Sequence, residues 1–373
     1  MNTHGKIIID RLFGNFLLRS LALFSKIKSG KSETKNIVVC KFLGMGSILQ
    51  STPLLSSLKQ NFPKAKITFV TSEKNRGLLE MIPMVDRIIT VNDTNLISLA
   101  SDSIYIIREI RKLKASHFFD LEPHSFFSKI ICLLSSAKFR LGFKKETQSL
   151  PAELYTHVIP FFEGVNLSES YLNMGVKGGC ISLTKELYAF PSDKIELNDE
   201  KYIVINVNAS DLRIERRWPP EFFAQLMENL SEQFPHLNIK LTGNNSEAPY
   251  VENVIRLMKH GNKNVESLAG KKNLNELFEL IRHCKLMITN DTGPLHIASC
   301  LQTPVIALFG PAAPAQYTIP QSVTVIYRKV PCSPCVHLSV TPPCRGNNIC
   351  MKEISPEEVE KVASKVLSDL FRQ

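Results

Sequence analysis

The chain has 373 residues, 44% hydrophobic and 21% charged, with a formal net charge of +10. That length exceeds what one core normally fills, so two domains are expected, and the composition is that of an ordinary globular protein. Lys6, Arg11, Arg19, Lys26, Lys28, Lys31 and Lys35 put about half the excess charge in the first 35 residues; the mildly basic remainder carries no RNA- or DNA-reading motif, which argues against a nucleic-acid binder.

Residues 7–28 alternate at near-helical spacing. Arg11, Asn15, Arg19 and Lys26 fall on one side, and Leu12, Phe13, Phe16, Leu17, Leu21 and Phe24 on the other. Asn15 and Arg19 interrupt the apolar run, which falls short of the ~20 residues that span a bilayer. No small-residue cleavage site follows, which disfavours a signal peptide. Two readings stay open: a basic amphipathic helix on an anionic membrane surface, or a helix packed on the protein's own body. Residues 29–35 read as a polar linker.

From Asn36 strands and helices alternate. Ile37–Cys40, Lys66–Val70, Arg87–Val91, His117–Leu121 and Phe139–Phe143 read as buried parallel strands, with a Gly44-Met45-Gly46 turn and a helix through Leu54 to Asn61. The periodicity breaks between about 144 and 200. It resumes with Tyr202–Val207, a helix opened by Trp218-Pro219-Pro220, the strand Asn238–Leu241 ending at Gly243, a helix from Asn273 to His283, and a strand from Leu286. Asn290-Asp291-Thr292-Gly293-Pro294-Leu295-His296 then reads as a tight turn into a helix, followed by the strand Val305–Phe309. Ser355-Pro356-Glu357-Glu358 is a capping box for a last helix to about Phe371. The expected fold is α/β: a basic arm and linker (1–35), one Rossmann-like domain (36–190), a second (191–354) and a terminal helix (355–373). Two such halves would face a central cleft, with ligands at the carboxyl ends of the strands.

Lys41-Phe42-Leu43-Gly44-Met45-Gly46-Ser47 through Thr52-Pro53-Leu54-Leu55 resembles the N-terminal motif of glycosyltransferase family 9, the heptosyltransferases. Arg216-Arg217-Trp218-Pro219 is similar to that family's Lys/Arg-x-Trp-Pro segment. Asp291 to Ala298, with Thr303-Pro304-Val305 and Phe309-Gly310-Pro311, resembles its donor signature. The resemblance runs from about residue 36 to 355. It implies the GT-B architecture and inverting, metal-independent transfer from a nucleotide sugar, often ADP-heptose, to lipopolysaccharide core or a related lipid-linked glycan. No cofactor is implied.

Such a reaction needs a base for the acceptor hydroxyl, charge stabilisation at the leaving diphosphate, and both substrates held in line. Thr292 and Gly293 begin a helix whose first N–H groups lack intrahelical partners, a place that favours an anion. Asp291 would order that turn or bind a donor hydroxyl, and His296, one turn on, would donate to phosphate or ribose; a capped turn without ligand and a core histidine are the bland alternatives. Arg216 or Arg217 would bring mobile positive charge to the diphosphate. Asn208 and Ser210 are candidate phosphate donors, and Glu247 a candidate ribose ligand. Trp218 reads as an anchor for its helix.

The base departs from the family pattern. Most members carry Asp directly after the second glycine of the first motif, on the acceptor-side loop Gly44-Met45-Gly46; here Ser47 stands there, and serine is neutral. Either activity is lost, or another carboxylate has taken the role. Glu122 is the expected replacement, Asp120 the second choice, with Ser47 a hydrogen-bond donor and His124 a weaker candidate. The alternative is a rim carboxylate with no catalytic part.

Nine cysteines are present. Cys40, Cys132, Cys180, Cys284 and Cys300 read as buried thiols. Cys332, Cys335, Cys344 and Cys350 crowd together. A structural zinc site, a redox pair and plain loop thiols are the three readings. The leading functional expectation is a transferase at the cytosolic face of the inner membrane, its arm on the anionic surface; the alternative is a catalytically inactive nucleotide-sugar or glycan binder.

Overall fold

The structure is a computed structural model that describes residues 10–24, 34–92, 96–191, 201–209, 213–260, 263–317, 319–336 and 342–372. The chain divides into two units, Met1–Tyr188 and Ala189–Gln373.

In the first unit a π-helical turn, Asp10–Gly14, leads into α1 (Asn15–Ala22). Then come β1 (Asn36–Cys40), α2 (Met45–Leu49), α3 (Thr52–Asn61), β2 (Lys66–Ser72), α4 (Arg76–Glu80), β3 (Arg87–Val91), α5 (Leu96–Leu113), β4 (His117–Asp120), α6 (Phe126–Leu134), β5 (Phe139–Lys144), β6 (His157–Pro160) and α7 (Leu167–Lys177). The six strands are parallel, in the order β3-β2-β1-β4-β5-β6. This is the doubly wound order, which reverses direction between β1 and β4 and opens a crevice at their carboxyl ends. The register sets Cys40 opposite Asp120, so the loops leaving these two strands start side by side.

The arm packs on α6. Leu18 and Ala22 are buried in one cluster with Ile130 and Ile131, and burying a leucine stabilises by ~1.5–3 kcal/mol. A Cβ on Gly14 would come within 2.7 Å of the Phe126 Cβ, so only glycine lets the chain cross there. The Asp10 carboxylate accepts from the Phe126 and Phe127 N–H groups (2.8 and 2.7 Å), capping α6 from outside. The docking side therefore differs from the sequence expectation: Phe13, Phe16 (74% exposed), Leu17 and Phe24 (88%) face solvent.

The second unit runs β7 (Tyr202–Asn206), α8 (Pro220–Gln233), β8 (Asn238–Leu241), α9 (Ala248–Arg256), β9 (Val265–Ser267), α10 (Leu274–His283), β10 (Met287–Asn290), α11 (Gly293–Leu301), β11 (Val305–Phe309), β12 (Val323–Tyr327), α12 (Ile349–Lys352) and α13 (Pro356–Arg372). Its parallel sheet has the order β12-β11-β10-β7-β8-β9, the first unit's topology repeated, with the reversal between β7 and β10. Asn273 and Glu276 form a reciprocal capping box for α10. The helix α13 packs on α8, tied by Gln225–Glu357 and Asn229–Glu360 hydrogen bonds, so it is part of this unit's core rather than an appendage. Within the span 144–200, where periodicity failed, the structure places β6 and α7; β9 and β12 also escaped the sequence reading.

Candidate functional site

The turn between β10 and α11 is built by buried amides. Asn290 Nδ2 donates to the Val207 and Asn208 carbonyls, and its Oδ1 accepts from Trp218 N–H. Trp218, fully buried, donates its indole N–H to the Ile354 carbonyl. These bonds fix the segment that carries Arg216 against the end of β10. Asn206 Nδ2 reaches the Thr289 and Thr292 hydroxyls (3.0 and 2.9 Å), so the Thr292 side chain is held in the turn rather than capping its own helix.

Asp291 lies at the centre. It is buried, and neither carboxylate oxygen has a hydrogen-bond partner. Arg216 stands beside it, with Nε 3.6 Å from Oδ2 and Nη1 donating to the Asp291 carbonyl at 3.2 Å. Burial pushes the Asp291 carboxyl up from its ordinary range, and the guanidinium pulls it back. A buried carboxylate without donors is costly unless something supplies them, and a ligand hydroxyl would. Gly293 opens α11 directly beyond, where unpaired N–H groups favour a phosphate.

His296 is buried edge-on to Tyr317, ring centroids 4.7 Å apart. Burial, with Arg216 adding to it, pushes its pKa down to about 3, so the ring is neutral. Its surroundings are those of a core histidine. Both arginines are engaged: Arg216 stands at Asp291, while Arg217 stacks 4.5 Å over the Tyr250 ring and donates twice to the Ala209 carbonyl. Asn208, expected to donate to phosphate, instead spends its amide on the Thr242 carbonyl and Asn206 Oδ1. Glu247 stands past the end of β8, where its carboxylate accepts from Asn244 N–H. Ser210 lies outside the described residues.

At the other reversal point the carboxylates have different work. Glu122 Oε1 accepts from the Phe42 and Leu43 N–H groups (2.7 and 2.9 Å), and Oε2 pairs with Lys41 Nζ at 2.8 Å; Glu122, Lys41 and Phe42 are buried, Leu43 exposed. Asn75 and Ser72 hold the Phe42 carbonyl from the other side. Glu122 thus clamps the loop between β1 and α2, and both its oxygens are committed. A base at Glu122, as the sequence led us to expect, would have to give up one of these contacts. Asp120 is fully buried; it accepts from Tyr155 Oη (2.6 Å), Ser128 Oγ (3.1 Å) and Glu122 N–H (3.1 Å), and burial raises its pKa. It too is enclosed. Gly44, at φ +86°, has the backbone that glycine alone adopts without strain, and starts the short helix holding Met45, buried Gly46 and half-exposed Ser47.

Cys335 and Cys350 are buried, Cys332 and Cys344 partly so. Cys332 packs against the core cluster that includes Cys350. Burial, and then the neighbouring thiols, raise the Cys335 pKa, and burial pushes Cys350 up to about 11. Among the described residues no group of three or more His, Cys, Asp or Glu side chains is placed to hold a metal ion.

Two parallel sheets of identical doubly wound order define a twin Rossmann-like, GT-B-type glycosyltransferase fold. The profile of glycosyltransferase family 9 (heptosyltransferase) matches residues 106–343, and the chain belongs to that family of glycosyltransferases. It is 24% identical over 328 residues to lipooligosaccharide heptosyltransferase 2 of Campylobacter jejuni, covering 87% of this chain and 96% of that one. Among solved structures it is similar to Escherichia coli ADP-heptose LPS heptosyltransferase II (TM-score 0.71, 21% identity, 90% of this chain and 99% of that one). It is also similar to E. coli heptosyltransferase WaaC with ADP-2-deoxy-2-fluoro heptose (TM-score 0.65, 16% identity, 88% and 99%).

Proposed function

We propose that the chain transfers heptose from ADP-heptose to a lipopolysaccharide-core or related lipid-linked acceptor, with inversion and without a metal ion. The observation that carries this reading is the second reversal point: a buried carboxylate with unpartnered oxygens, an arginine fixed beside it, and a helix N-terminus directly beyond. Asp291 takes a donor hydroxyl, while Arg216 and the first N–H groups of α11 stabilise charge as the diphosphate leaves. The relatives supply the sugar and nucleotide, since their names specify heptosyl transfer and ADP-heptose. Incubation with ADP-heptose and heptose-deficient core glycolipid should add one heptose to the acceptor by mass spectrometry, unaffected by a chelator. Thermal shift across a panel of nucleotide sugars checks the donor: a rise with a different nucleotide sugar and none with ADP-heptose would overturn the assignment.

Ser47 and the fully engaged Glu122 favour a second reading, a nucleotide-sugar binder without turnover. The same assay separates the two, because a binder shows the thermal shift and no product.

The arm supports placement at the cytosolic membrane face. Its buried side fixes it to the body, while Phe13, Phe16, Leu17, Leu23 and Phe24 are exposed on a segment carrying seven basic residues. No described helix is long and apolar enough to cross a membrane. Co-sedimentation with phosphatidylglycerol vesicles should be lost with Phe16→Ser and Phe24→Ser; retention by that double variant would refute the placement.

A further inference from the structure

The mechanism leaves the acceptor proton without a taker. Ser47 is uncharged, and the Asp120 and Glu122 carboxylates are enclosed. Glu73, past the end of β2, is engaged by Arg76 at 2.7 Å.

One cluster of titratable groups at the carboxyl edge of the first sheet has no part in the clamp. His124 follows β4 by four residues, Lys145 follows β5 directly, and Glu163 follows β6 by three. The topology makes these strands neighbours, so three loops of distant sequence meet. His124 Nε2 lies 3.7 Å from Glu163 Oε1, and Lys145 Nζ lies 2.5 Å from the same oxygen. The Phe161 ring braces the cluster, edge-on to His124 at 5.9 Å and beneath Lys145 at 5.8 Å. The Glu163 side chain is 16% exposed and its Oε1 is taken by Lys145, whereas the His124 side chain is 39% exposed and can meet an acceptor.

We propose that His124 is the general base for transfer, with Glu163 as its positioning residue and Lys145 fixing Glu163. The proposal rests on the transferase reading. The neutral imidazole takes the acceptor hydroxyl proton as the acceptor oxygen forms its bond to the donor's anomeric carbon. The bond from that carbon to the diphosphate breaks, and its electron pair leaves with the nucleoside diphosphate. The imidazolium formed faces the Glu163 carboxylate, which stabilises it. The other charged groups on these elements are Lys145, directly past β5, Glu122 on its own loop and Lys129 in α6. Glu122 is neutralised by Lys41, and Lys129 donates to the Glu122, Pro123 and Ser125 carbonyls. Glu163, 3.7 Å from Nε2, is the carboxylate placed to favour the protonated ring, with Lys145 sharing its charge.

The test measures transfer from ADP-heptose by wild type, His124→Ala, His124→Gln and Glu163→Gln, with donor affinity and melting temperature measured on each. Both His124 variants should lose about 10²–10⁴ in kcat, with donor affinity within about twofold of wild type. The acid limb of the wild-type kcat–pH profile should vanish in them, and added imidazole should partly restore His124→Ala. Glu163→Gln should keep an acid limb displaced to lower pH, a change that mere loss of packing would not produce. An active wild type whose folded His124 variants keep rates within about threefold would overturn the base assignment while leaving the transferase reading intact. An inactive wild type that binds ADP-heptose would overturn both.

Discussion

The two units share one topology and part company at their reversal points. In the first, the crevice between β1 and β4 is closed on itself: Glu122 satisfies two backbone N–H groups and one lysine, and Asp120 has three donors. In the second, at the reversal between β7 and β10, Asp291 is buried beside Arg216 with neither oxygen hydrogen-bonded. Carboxylates stand at equivalent places in the two sheets, yet one set holds the loops and the other makes no hydrogen bond. A charged residue at a strand end is therefore a weak guide to chemistry until its hydrogen bonds are counted.

The largest expected effect tests the closed side. Glu122→Gln leaves Lys41 buried without its anion, a change that costs about 3–5 kcal/mol. The melting temperature of the first unit should fall by roughly 10 °C. An unchanged melting temperature with lost turnover would reverse our reading and return Glu122 to catalysis.

Next comes acid sensitivity, which the units should share. Burial holds His117 at about 4 in the first and His296 at about 3 in the second. Both lie below the unfolded value near 6.5, so the unfolded chain binds more protons and stability falls as pH drops below 6.5. Each histidine removes about 2 kcal/mol between pH 7 and pH 5. The raised carboxyls of Asp120 and Asp291 offset part of this, because protonation favours their folded forms. Trp218 is the chain's one tryptophan and lies in the second unit, so urea melts followed by its fluorescence isolate that unit. Circular dichroism reports both. A His296→Gln variant should flatten the tryptophan-detected dependence and leave the other.

A smaller effect belongs to the first loop. Gly44→Ala forces a side chain onto a φ of +86°, costing about 1–2 kcal/mol. The Cβ would also sit 3.3 Å from Ser47 Oγ. Melts should show the loss at the first unit alone.

The doubly wound architecture was legible because the central strands are apolar on both faces, as in Ile37–Cys40 and Val305–Phe309. The strands that escaped, β6, β9 and β12, are all at sheet edges. In His157–Pro160 only Ile159 is buried, too faint a pattern to read. The turn of Asp291 to Gly293 was legible from its residue types. Its builders Asn206 and Asn290 were not, because an amide whose partners lie 82–86 residues away leaves no local signature. The clamp made by Glu122 was hidden for the same reason: its ion-pair partner, Lys41, lies on another strand's loop.

The smallest expected change in stability is the most informative about the open side. Asp291→Asn removes an anion near Arg216, yet the Nε–Oδ2 separation of 3.6 Å is no hydrogen bond, and Arg216 keeps the Asp291 carbonyl. It also removes the cost of a buried carboxylate that nothing in the unliganded unit satisfies. The two effects oppose, so the unliganded melting temperature should move by no more than about 1 kcal/mol in equivalent stability. Affinity for the donor should fall by about 10–100-fold, because a hydrogen bond to a charged group is worth roughly 1.5–3 kcal/mol. Stabilisation by a fixed concentration of ADP-heptose would shrink accordingly. If the unliganded variant instead loses several kcal/mol while donor affinity holds, Asp291 is a structural residue like Glu122, and the contrast between the two crevices disappears.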